Sequence, residues 1–122
     1  MVKPPEGLDV IVGADAVHTD PASLEMYSQD LFTFEGPRAL AVVQPQITEQ
    51  VRRLVEYART TRCTLIPRGG GLSYSGGYVP PDDRSVIVDL RRLNGVRQLD
   101  CASGLLSIGA GATWASVGET LA

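Results

Sequence analysis

Five glycines stand within nine residues, Gly69 to Gly77, in the run Pro67-Arg-Gly-Gly-Gly-Leu-Ser-Tyr-Ser-Gly-Gly-Tyr78. Glycine reaches φ > 0 without steric penalty and carries no Cβ. Successive N–H groups in such a segment can face one concave side and make a nest for phosphate oxygens. Ser73 and Ser75 can add hydroxyl donors, and Arg68 can add charge. The chemistry that suits these residues is the binding of a phosphate or pyrophosphate. The alternative is a mobile turn with no ligand, but three consecutive glycines would then cost folding entropy without a packing return.

Two better-known phosphate loops do not fit. A P-loop needs Gly-x4-Gly-Lys-Ser/Thr, and no lysine lies here. A Rossmann turn needs Gly-x-Gly-x-x-Gly opening a helix. Counting six from Gly69 gives Tyr74, and counting from Gly71 gives Gly76 with Ser73 in the middle. Pro80-Pro81-Asp82-Asp83 follows, so the loop runs on toward a strand and not into a helix.

The elements around the loop read as strand, helix, strand. Ala39–Val43 is apolar at every position, as in a strand buried on both faces. Thr48 can cap a helix whose stripe is Val51, Leu54, Val55 and Ala58, with Glu49–Arg53 and Arg52–Glu56 as i,i+4 pairs. Thr64–Pro67 is a short strand ending at the glycine loop, and Ser85–Leu90 is a third apolar strand. The order predicts a parallel βαβ layer over 38–92, with the loop at the carboxyl end of its second strand. Upstream, 1–19 reads as an irregular lead-in, and Asp20-Pro21 caps and starts a short helix reaching to about Ser28. Downstream, Val96–Asp100 and Leu105–Ile108 form a hairpin. A last helix opens near Thr113 with Trp114, Val117 and Leu121 on one stripe, Trp114 packing in the core. The chain ends within that helix without a C-cap glycine, which reads as a piece of a longer protein.

Composition narrows the ligand. The net charge is −3, which argues against nucleic acid. Residues 1–37 hold one lysine and seven acids, whereas 38–97 hold ten arginines and five acids, so the middle segment suits an anion. Arg52, Arg53 and Arg59 more simply solvate a helix face. Cys63 and Cys101 read as semi-buried thiols without a disulfide framework, and one histidine, His18, makes a zinc site implausible; His18 itself reads as a surface residue. Asp89 reads as a strand-end carboxylate bonded to a turn N–H, with polarity near a ligand as the rival role. There is no apolar stretch long enough for a membrane span or a secretory signal, and the default location is the cytoplasm.

Taken in order, Val42-Val43-Gln44-Pro45, Thr48-Glu49-Gln50-Val51, Pro67-Arg-Gly-Gly-Gly-Leu-Ser73, Gly76-Gly77, Val88-Asp89-Leu90, Leu93-Asn94, Gly109-Ala-Gly111 and Trp114 resemble the FAD-binding domain of the vanillyl-alcohol oxidase/p-cresol methylhydroxylase type, the FAD-linked oxidases. Asp20-Pro21 through Tyr27-Ser-Gln-Asp30 resembles the D-lactate/glycolate oxidase branch. The resemblance implies an α+β fold: a small parallel βαβ subdomain, then the start of an antiparallel one. Residues 1–37 would be the lead-in and 38–122 the N-terminal part of the FAD-binding domain. It implies FAD as cofactor, its pyrophosphate held by Arg68, Gly69, Gly70, Gly71, Leu72, Ser73, Ser75, Gly76 and Gly77. The whole enzyme would oxidise an alcohol or 2-hydroxy acid, with the substrate and the catalytic groups on a downstream domain. Family members that bond the flavin through Arg-x-Gly-Gly-His carry the histidine where this chain has Leu72, so no covalent link is expected here. Two alternatives remain open from the residues alone: a non-enzymatic nucleotide- or phosphate-binding module, and a structural α/β fragment.

Overall fold

Why Ala39–Val43 must be apolar on both sides is visible in the sheet it joins. The computed structural model describes residues 5–31 and 36–122. We label its elements α1 (Leu8–Val12), β1 (Val17–His18), α2 (Pro21–Tyr27), β2 (Ala41–Val43), α3 (Thr48–Thr61), β3 (Thr64–Arg68), β4 (Ser85–Asp89), β5 (Val96–Asp100), β6 (Leu105–Ile108) and α4 (Trp114–Leu121). One sheet has the order β1-β2-β4-β3, with β2, β4 and β3 parallel and β1 antiparallel at the edge. The parallel layer predicted for 38–92 is present. Its helix α3 crosses from β2 to β3, and β4 then enters between them.

Strand residues alternate between two cores. Ala41, Val43, Val86 and Val88 face Leu8, Val12, Ala16 and Leu54, so α1 and α3 cover one side. Val42, Ile66 and Ile87 face Tyr27 and Ala39, so α2 covers the other. A two-sided cover leaves no position of β2 or β4 for water, which is why these strands do not alternate polar with apolar.

Several expectations need correction. The lead-in is not irregular: α1, a 3-10 turn at Ala14–Ala16 and β1 lie within it, and Leu8, Val12 and Ala16 are core residues. A five-residue helix is too short to show a helical period, so the pattern hid it. Thr48 is the first helical residue and not the cap; Ile47 takes the cap position, and the Gln50 side chain reaches back to accept from the Gln46 N–H. The α3 stripe is rotated from the reading: Leu54 is buried and Tyr57 packs on the core, but Val55 is exposed. Arg52 bonds both Glu49 and Glu56, in place of the expected Glu49–Arg53 pair. Trp114 is 87% exposed, and only Val117 of the α4 stripe is buried. Cys63 is half-buried but Cys101 is exposed.

The hairpin of β5 and β6 forms in the expected place, and the Asp100 carboxylate holds its turn by accepting from Ala102 N, Ser103 N and Ser103 Oγ. Its exit is stitched to the exit of β4. Gly109 and Gly111 donate to the carbonyls of Gly95 and Leu93. A Cβ on Gly109 or Gly111 would stand 1.9 Å from the Leu93 or Leu90 carbonyl oxygen, so only glycine allows this approach.

The two-sided core predicts a sharp contrast on α3. Leu54→Ala should lose about 2–5 kcal/mol of stability, whereas Val55→Ala should change it by less than about 0.5 kcal/mol. Urea denaturation of the two variants checks this; equal losses would contradict the assigned face.

Candidate functional site

The carboxyl ends of β2, β3 and β4 carry Gln44, Arg68 and Asp89, and their side chains shape the edge from which the glycine loop departs. Arg68 is the last residue of β3, and its carbonyl accepts from the Leu90 N–H, so the root of the loop is still held in the sheet. Its guanidinium turns back toward α2. Nη1 donates to the carbonyls of Tyr27 (3.1 Å) and Gln29 (2.7 Å), and the group lies over the Tyr27 ring at 5.3 Å and the Tyr78 ring at 4.8 Å.

Beyond Arg68 the backbone turns outward. Of the three consecutive glycines only Gly71 has positive φ, +81°, and Gly76 adds another at +74°. Gly69 and Gly70 have open space where a Cβ would stand. Among the described residues, the N–H groups of Gly69, Gly70, Gly71 and Leu72 meet no acceptor in the chain. The Ser73 hydroxyl accepts from the N–H of Ser75 and of Gly77, at 3.4 and 3.3 Å, and lies 3.5 Å from the Ser75 hydroxyl, so it organises the far turn. The Ser73 carbonyl accepts from the Leu31 N–H at 3.0 Å, a second tie to the segment after α2. Leu72 and Tyr74 are exposed.

Behind the loop lies a buried carboxylate. Asp89 is 1% exposed. Its Oδ2 accepts from Tyr27 Oη (2.8 Å), Gln44 Nε2 (2.9 Å) and Arg91 Nη2 (2.8 Å), and its Oδ1 accepts from the N–H and Nε of Arg91 (3.1 and 3.0 Å). Burial pushes the Asp89 carboxyl up, but the bonds from Arg91, Gln44 and Tyr27 outweigh it and hold the group at about 2. Burial, and then the bond to Asp89, raise the Tyr27 phenol. His18 Nε2 donates to Gln44 Oε1 at 3.1 Å, so it is half-buried and tied to the edge of the sheet, not free on the surface. Arg91 also lies over the Tyr27 ring, at 5.7 Å.

The structure therefore brings the expected loop residues, Arg68 to Gly77, into one segment at the carboxyl edge, but it points Arg68 inward. Asp89 does bond a turn N–H as expected, and it also binds three side chains. Sequence reasoning missed Tyr27, Gln44, Arg91 and the stacking role of Tyr78. A charged residue closing an all-apolar strand was a signal that buried partners exist, but the Tyr27–Asp89 pair spans 62 positions and no local spacing reveals it.

A family model described as an FAD binding domain matches residues 39–122. The chain belongs to this FAD-binding-domain family. FAD is its cofactor. The domain is 31% identical over 104 residues to a D-2-hydroxyglutarate dehydrogenase of Xanthomonas citri pv. viticola, an alignment covering 85% of this chain and 22% of that protein. Among solved structures it superposes on alkyldihydroxyacetonephosphate synthase with a TM-score of 0.86, at 22% identity over 99% of this chain and 26% of the other. It superposes on p-cresol methylhydroxylase with a TM-score of 0.80, at 19% identity over 93% and 23%. The α+β architecture is thus that of FAD-binding domains of the p-cresol methylhydroxylase type. The chain spans about a fifth of the length of the curated relatives it matches.

The residues present fit the cofactor's pyrophosphate. N–H groups without an acceptor among the described residues, open space at two glycines and two serine hydroxyls suit a diphosphate. Among the described residues no helix is long and apolar enough to cross a membrane, and no group of His, Cys, Asp and Glu could hold a metal ion.

The Asp89 cluster makes stability pH-dependent in a defined direction. Its folded-state value of about 2 lies below the ordinary 3.8, so its contribution is present above about pH 4 and is lost as the pH falls through about 2. Asp89→Asn should be less stable at neutral pH, and its stability should fall less between pH 4 and 2, by on the order of 2 kcal/mol. Denaturation at stepped pH checks this; parallel curves for the two proteins would contradict it.

Proposed function

We propose that this domain holds the pyrophosphate of FAD on the loop from Gly69 to Gly77, and that the protein containing it oxidises an alcohol or a 2-hydroxy acid. The observation that carries the reading is the run of N–H groups from Gly69 to Leu72, which meet no acceptor among the described residues, beside two glycines that leave room for a ligand. Ligands of open α/β sheets gather at the carboxyl ends of the strands, where this loop sits. The family match to an FAD binding domain and the likeness to a D-2-hydroxyglutarate dehydrogenase support the cofactor and the substrate class.

When bound, FAD supplies two-electron chemistry, accepting a hydride from the substrate carbon. The work of this chain is binding. Backbone N–H groups from Gly69 to Leu72 would hold the pyrophosphate charge, and the Ser73 and Ser75 hydroxyls would add donors at the far side of the loop. Arg68 sets where the loop begins. Binding through fixed dipoles suits a chain of net charge −3, because it needs no excess of cations.

Two outcomes test this reading in the full protein. Gly70→Val puts a branched side chain into the open space in front of the N–H groups, so flavin content should fall to roughly a tenth or less while the fold persists by circular dichroism. A folded, flavin-replete variant would refute the loop assignment. Leu72 has no nucleophilic atom, so the flavin is held non-covalently by this segment. Acid precipitation, digestion and mass spectrometry should give no flavin-bearing peptide from residues 1–122; one such peptide would overturn that claim.

A further inference from the structure

We infer that Arg68 is a positioning residue: its guanidinium fastens the root of the glycine loop to the open end of α2 and takes no part in holding phosphate. This rests on the reading of the loop as the pyrophosphate cradle, but it departs from the expectation that Arg68 adds charge to the ligand.

Both Nη1 protons of Arg68 are committed. The carbonyl of Tyr27 closes α2 and that of Gln29 follows it, and both accept from Nη1. Carbonyls at a helix C-terminus lack intrahelical partners and carry partial negative charge, so a cation belongs there. The flat face of the guanidinium is engaged as well, over the Tyr27 and Tyr78 rings, a geometry favourable to arginine. Its Nε–Nη2 edge lies beside the loop at Gly71, where an added Cβ would stand 2.7 Å from Nη2, 3.3 Å from Cζ and 3.5 Å from Nε. Turning the Nη1 side outward to a phosphate would give up two hydrogen bonds, and moving the group out of the edge would give up two stacking contacts.

The position of these ties explains their use. Arg68 binds the segment after α2 at one end of the Arg-Gly-Gly-Gly-Leu-Ser run, and the Ser73 carbonyl binds the same segment through Leu31 at the other. The N–H groups of Gly69 to Leu72 lie between the two ties. Fixing both ends removes conformational freedom that four residues, three of them glycine, would otherwise lose on binding. The affinity gained is then a matter of loop order, not of arginine charge.

The test compares wild type, Arg68→Met, Tyr78→Leu and the double variant of the full protein, titrated with FAD at low and high salt and with riboflavin, which lacks the pyrophosphate. Each single variant should weaken FAD binding about tenfold. The double variant should be no weaker than either single one, because both remove one unit. The salt dependence of Kd should match wild type, since no screened ion pair to phosphate is lost, and riboflavin binding should not change. A general packing defect would weaken riboflavin too, and that result overturns the inference. So does a flattened salt dependence in Arg68→Met with unchanged affinity in Tyr78→Leu, which would put the guanidinium on the phosphate. If Arg68→Met does not fold, Tyr78→Leu decides alone: full FAD affinity in it overturns the proposal. Gly70→Val separates the two levels, because its retention of FAD would sink the loop reading itself, whereas its loss of FAD beside an altered salt dependence in Arg68→Met would sink only the role of Arg68.

Discussion

A carboxylate with 1% exposure closes the central strand of the sheet, and the geometry around it follows from the need to keep it charged there. An ionised group out of water requires several donors at once. Asp89 takes them from three separate parts of the chain: Tyr27 at the end of α2, Gln44 just after β2, and Arg91 in the turn after β4. Meeting that demand fixes where α2 lies across the sheet. It also fixes the Tyr27 ring, and the Tyr27 ring is one of the surfaces on which Arg68 rests. The order of dependence thus runs from a buried charge, to a helix end, to an arginine, to the glycine loop.

That order bears on the anion site proposed for a chain of net negative charge. The two arginines nearest the loop root are both occupied, Arg91 by Asp89 and Arg68 by helix-end carbonyls. In the proposed site, what remains for the ligand is a row of peptide N–H groups between two ties, without an acceptor among the described residues. Such donors are preorganised and cannot be titrated, so the cradle keeps its character across the pH range in which the fold itself survives.

Much of this was legible in the residues. The apolar runs of β2 and β4 announced a sheet covered on both sides, and Asp20-Pro21 announced α2. Other features were illegible for physical reasons. α1 is too short to display a period, and its place under α3 is set by tertiary packing. On α3 the aromatic Tyr57 displaced Val55 from the core, a choice that depends on which helix sits opposite. Trp114 carries the largest apolar side chain and lies outside, a reminder that size alone does not assign burial. For the proposed site, glycine content singled out the loop, but the inward turn of Arg68 depends on a helix end about forty positions away.

A crystal structure of the full protein with FAD bound tests the central claim most directly. Pyrophosphate oxygens should lie within hydrogen-bond distance of the N–H groups between Gly69 and Leu72, with the Arg68 guanidinium still on the carbonyls of Tyr27 and Gln29. A pyrophosphate seated away from this loop, or an Arg68 side chain swung out to bind it, would contradict the account.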